Sequence, residues 1–135
     1  MPHVSKRKLK EKVESELNKS FQTVIARISN MQEMNSFLTS LLSNTEKLML
    51  AKRLAVVVLL DENIPESTIA NILNVTRETV ARQRYRLELK GEGYKIAIKK
   101  LAEEKTLQGL KKLLVSLVKY SVRAAGGYVK PTILD

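Results

Sequence analysis

The chain has 135 residues, 44% of them hydrophobic and 28% charged, and its 24 Lys and Arg outnumber 14 Asp and Glu for a formal net charge of +10. This length suits one sizeable core, the apolar content excludes wholesale disorder, and the cationic excess points to polyanionic partners. Cysteine is absent and His3 is the only histidine, which removes disulfides, the usual zinc ligands and Cys or His nucleophiles.

Near the start, Arg7, Lys8, Lys10 and Lys12 follow Lys6 without a hydrophobic block behind them, the pattern of a basic arm or of a solvated helix end. Val13, Leu17, Phe21, Val24 and Ile28 recur in steps of three and four, predicting a first helix over about Ser5 to Ser29 with one apolar stripe and little nearby to cover it. A short second helix carries Met34, Phe37, Leu38, Leu41 and Leu42. Asn44 or Thr45 is then expected to cap a third helix reaching Asp61. That helix holds Leu48, Leu50, Leu54, Val57, Val58 and Leu60 with few polar positions in its second half, as a central core helix should. Its run from Leu54 to Leu60 is far short of the roughly 20 residues that cross a bilayer, so no membrane partner is expected.

Asp61-Glu62-Asn63 closes this helix, and a fourth runs from Pro65 to Leu73. Asn74 tolerates left-handed backbone, and Thr76 can cap a fifth helix to about Leu89, which Lys90-Gly91-Glu92-Gly93 ends. Two more helices are expected over Tyr94 to Glu104 and Thr106 to Arg123, the last an amphipathic basic helix carrying Leu107, Leu110, Leu114 and Leu117. Its expected fate is packing onto the body or a second subunit, with a membrane surface or another protein as alternatives. The organisation reads as a basic arm and long dimerisation helix over 1–30, a helix-turn-helix core over 31–90, a C-terminal helical extension over 91–123 and a flexible tail over 124–135. The fold class is all-α.

Glu66 to Tyr85 has helix-turn-helix spacing: Ala70 is small where helices cross, Asn74 makes the turn, and Ile69, Leu73, Val75 and Val80 can bury between the helices. Outward positions on the second helix are Thr76, Arg77, Glu78, Ala81, Arg82 and Tyr85. An α-helix fits the major groove of double-stranded DNA, where Arg can pair with guanine and a carboxylate can accept from cytosine N4. The expected base-reading residues are therefore Thr76, Arg77, Glu78, Ala81 and Arg82, with Lys52, Ser67, Thr68, Arg84 and Lys8 at phosphates. Charge agrees: Thr76 to Lys100 holds eight basic residues and three acids, whereas Leu54 to Val75 holds no base and three acids. Positive charge thus begins where the reading helix begins.

The expected function is a sequence-specific transcriptional regulator, a repressor acting as a homodimer through its N-terminal helices, cytoplasmic and associated with the nucleoid. An architectural or RNA-associated basic protein is the competing reading, although RNA recognition favours exposed aromatics and this chain has four Tyr and two Phe. Asp61-Glu62 in a turn and Glu103-Glu104 at a helix end are ordinary solvated placements, so no enzyme is expected.

The stretch from Leu41-Leu42-Ser43 through Arg53 to Arg86 resembles the Trp repressor superfamily, including bacterial relatives that carry only the DNA-binding core. The resemblance rests on the Leu-Leu-Ser start, the Glu46 and Arg53 spacing, the short acidic turn and Thr79-Val80-Ala81-Arg82. It implies an all-helical, intertwined homodimer whose reading helices enter successive major grooves about 34 Å apart. It also implies an effector pocket at Ser43, Arg53, Thr79 and Arg82, where the repressor holds tryptophan between two arginines. Gln83 stands where the repressor has an indole-accommodating glycine, and Arg86 where it has a serine that holds the amino group. Both argue against a tryptophan corepressor, so no cofactor is expected and Arg53 and Arg82 read first as phosphate or ion-pair residues.

Overall fold

The computed structural model describes residues 7–124, apart from the side chains of 105–107, 110, 111 and 121–124. Among the described residues all regular structure is helical: α1 Glu11–Arg27, α2 Met31–Leu41, α3 Asn44–Asp61, α4 Glu66–Leu73, α5 Arg77–Lys90, α6 Glu92–Glu103 and α7 Lys105–Ala124. The chain divides into two compact units, Met1–Lys47 and Leu48–Asp135, with the division falling inside α3. The tail expected over 124–135 lies, beyond Ala124, outside the described residues, as does Lys6 of the basic arm.

In the first unit, α1 begins at Glu11 rather than near Ser5. Glu11 and Glu14 in its first turn complement the positive end of the helix dipole, whereas Arg7, Lys8 and Lys10 ahead of them oppose it. Four members of the expected stripe are uncovered within the chain, Val13, Leu17, Phe21 and Val24 being 44–56% exposed, whereas α1 ends at Arg27 and leaves Ile28 as its half-buried C-cap. Asn30 caps α2 by accepting from the backbone N–H groups of Gln32 (2.8 Å) and Glu33 (3.1 Å). The cap of α3 is Ser43, not Asn44 or Thr45. Its Oγ accepts from Glu46 N–H at 3.2 Å, Glu46 Oε2 accepts from Ser43 N–H at 2.7 Å, and Ser43 C=O takes the first helical bond from Lys47 N–H. This reciprocal capping box satisfies two backbone donors together, which neither Asn44 nor Thr45 could do with the residue three positions on, Lys47 or Leu48.

In the second unit, Ala55 to Leu60 are all buried irrespective of helix face, as expected of a helix that is apolar all round. All of these but Val57 form one core with Ile64, Ile69, Ala70, Val80, Leu114 and Val118. Two asparagines close the helices that build it. Asn63 (φ 60) ends α3, with Ile64 N–H donating to Leu59 C=O (3.1 Å) and Asn63 N–H to Leu60 C=O (3.0 Å). Asn74 (φ 51) ends α4, with Val75 N–H donating to Ala70 C=O at 3.1 Å. Both are Schellman-type closures, in which a left-handed residue turns the chain back onto the orphan carbonyls. The α5–α6 junction is tighter than the expected Lys90–Gly93 segment: one residue, Gly91, separates the helices. A Cβ there would run into the Leu87 carbonyl oxygen. The helix α7 packs against α4 and α6, through the i, i+4 pair Leu114 and Val118.

Candidate nucleic-acid interface

The pair α4 and α5 forms a helix-turn-helix around Asn74. Ile69 and Val80 are fully buried between the helices, Ala70 is nearly so, and Leu73 and Val75 pack against the same core. Thr76 fixes the start of α5. Its side-chain oxygen accepts from Thr79 N–H at 3.1 Å, and the Thr76 and Thr79 hydroxyls lie 2.8 Å apart. Lys52 donates to Asn74 C=O at 3.4 Å, which puts a cation directly at the turn.

Val80 and Gln83 define the buried side of α5. Thr76, Arg77, Glu78, Ala81, Arg82 and Tyr85 are all exposed. Arg82 lies 3.5 Å from Glu78 one turn earlier, a solvated i, i+4 pair worth at most a few tenths of a kcal/mol by itself, about 0.3–0.5. Arg77 and Arg86 form no salt bridge among the described residues. Arg84 instead makes a 2.8 Å ion pair with Glu66 in the first turn of α4, tying the two helices of the motif together. Ser67 is exposed and Thr68 half-buried on α4, and Lys8 is exposed ahead of α1 in the other unit.

The four residues expected around an effector have the following surroundings. Ser43 belongs to the first unit, where it caps α3; Thr79 is hydrogen-bonded to Thr76; Arg82 is paired with Glu78; Arg53 is half-buried. Among the described residues of this unit Gln83, 2% exposed, is a buried polar side chain, and its Oε1 accepts from the Tyr94 hydroxyl of α6 at 2.7 Å. Tyr94 is not singled out by the sequence, because its partner lies in the preceding helix, beyond the break at Gly91. A polar residue at an inward position of α5, opposite the exposed arginines, was the available signal.

Among the described residues no helix is long and apolar enough to cross a membrane, and no cluster of His, Cys, Asp or Glu could hold a metal ion. No curated protein and no solved structure matches the chain. The family model described as Trp repressor protein matches residues 15–102, a span that covers α2 to α5 whole together with most of α1 and α6. With an all-helical fold and a helix-turn-helix whose second helix turns its cationic face outward, the chain belongs to the Trp repressor family of DNA-binding regulators.

Proposed function

We propose that this protein is a sequence-specific transcriptional repressor that binds double-stranded DNA as a homodimer and reads the major groove with α5. The observation that carries this reading is the division of α5 into two sides. Val80 and Gln83 are locked into the core, while Thr76, Arg77, Glu78, Ala81 and Arg82 stand in solvent at the start of a strongly basic segment. Those five residues face base edges; Lys52, Ser67, Thr68, Arg84 and Lys8 contact phosphates, Arg84 by exchanging or sharing its pairing with Glu66. The homodimer forms through α1, whose apolar stripe of Val13, Leu17, Phe21 and Val24 is too large to leave in water. The protein acts in the cytoplasm, on the nucleoid.

DNA binding needs no tryptophan. Gln83 and Tyr94 occupy the inward side of α5 with a hydrogen-bonded pair of the chain's own side chains, and Arg86 is exposed. That arrangement supports a reading helix oriented without a small effector at Ser43, Arg53, Thr79 and Arg82.

The deciding experiment is selection from a random duplex pool followed by a salt titration on the enriched sequence. Log affinity should fall linearly with log salt by roughly 0.9 per phosphate neutralised. Arg77→Ala should relax preference at one base pair, whereas Lys8→Ala should weaken all sequences alike. Adding tryptophan should change neither affinity nor thermal midpoint. An unenriched pool, with a structured RNA outcompeting every duplex, would favour the architectural or RNA-associated alternative and overturn the reading.

A further inference from the structure

The outward stripe of α5 contains a residue that charge does not explain. At 100° per residue, Glu78, Ala81, Arg82 and Tyr85 share the side opposite Val80 and Gln83. Tyr85 is 64% exposed, and its hydroxyl makes no hydrogen bond among the described residues. Arg82 and Arg86 flank it along the helix, both exposed, and the methyl side chain of Ala81 lies one turn before it, leaving the ring edge uncovered. The result is a small apolar surface of one methyl group and one aromatic ring, bordered on one side by the two arginines. A polyanion with an apolar knob recessed between its charges suits this surface. In the major groove only thymine presents such a knob, its C5 methyl group.

We propose that Tyr85 is a specificity-determining residue that, with Ala81, recognises the C5 methyl of a thymine about 10 Å along α5 from the base pair met by its first turn. The proposal rests on the role of α5 as the reading helix. Arg82 and Arg86 hold the backbone or guanine beside it, and the ring closes over the methyl group, removing both from water.

The test uses the duplex that the full-length protein enriches from a random pool, with each thymine replaced singly by deoxyuridine, which lacks only the methyl group. Wild-type affinity at constant salt should fall about fourfold at one position, the value of burying one methyl-sized group. Tyr85→Ala should bind the thymine duplex about fourfold more weakly, with no further loss on deoxyuridine at that position, and Tyr85→Phe should match wild type. Arg82→Ala should remain sensitive to deoxyuridine. Circular dichroism of each variant should be unchanged because Tyr85 is exposed. If wild type enriches a duplex but no deoxyuridine substitution matters, or if Tyr85→Ala keeps the same sensitivity, the role of Tyr85 is overturned while DNA reading stands. If no duplex is enriched, both fall together.

Discussion

The hydrogen bond between Gln83 and Tyr94 fixes α5 against α6, and Tyr94→Phe isolates it. The substitution removes one oxygen and leaves the ring in place. Gln83 Oε1, now without its 2.7 Å donor, stays on a side chain only 2% exposed. Leaving a buried acceptor unsatisfied costs about 1–3 kcal/mol. Gln83→Leu removes the acceptor with little change of volume, and the half-buried Tyr94 hydroxyl can then turn toward solvent, so its cost should be below about 1 kcal/mol. The double variant should lie close to wild type, because neither buried polar group remains. A double-mutant cycle by urea unfolding, followed through far-UV circular dichroism, reads the difference directly. The expected coupling is about 1–2 kcal/mol, with Tyr94→Phe the worst of the three variants. Simple additivity, or a Tyr94→Phe variant within about 0.3 kcal/mol of wild type, would refute the reasoning.

Asn74→Val places a β-branched residue at φ 51 and should destabilise the second unit by about 1–2 kcal/mol, while Asn74→Gly should be tolerated; unfolding midpoints of the pair check this. Gly91→Ala drives a Cβ against the Leu87 carbonyl oxygen and should cost about 1–3 kcal/mol, with the α5–α6 junction forced to open, visible as faster amide exchange around residues 88–93. Glu46 has a carboxyl held below its usual value of 4.5, first by the backbone N–H of Ser43 and then by its hydroxyl. Its contribution is therefore complete above the unfolded value and lost as pH falls through the lowered folded one. Glu46→Gln, which keeps an acceptor oxygen but no charge, should have a lower thermal midpoint than wild type at neutral pH, and the gap should close on acidification below about 4.5. A gap independent of pH would contradict that assignment.

Much of the fold was legible in the sequence because its signals are local. Asn74 and Thr76, two residues apart, mark a stop and a start, and the structure places the turn and the N-cap on them. The all-apolar second half of α3 announces burial on every side, and Ala55 to Leu60 are buried. Ambiguity arose where several adjacent residues could do one job. Ser43, Asn44 and Thr45 are all good caps, and the choice among them depends on Glu46, whose spacing of three completes a box only with Ser43. Gly91 and Gly93 look alike in sequence, yet only Gly91 sits where a carbonyl crowds the missing side chain, while Gly93 has open space.

The site was less legible, because net charge counts cations without their partners. Arg82, Arg84 and Arg86 are equivalent in a charge tally of α5, but helical rotation sends them to different neighbours. Arg84 turns toward α4 and meets Glu66 at 2.8 Å, Arg82 meets Glu78 at 3.5 Å, and Arg86 has no salt bridge among the described residues. The Glu66 pair therefore helps hold the angle between the two helices of the motif, and a phosphate competing for Arg84 would also loosen that pair. Buried polarity is harder still to foresee. Gln83 reads as one more polar residue between two arginines, and only the close approach of Tyr94 from α6 turns it into a fixed point about which the exposed side of α5 is aimed. The inward face of α5 is thus held by a contact made from a different helix, beyond the break at Gly91.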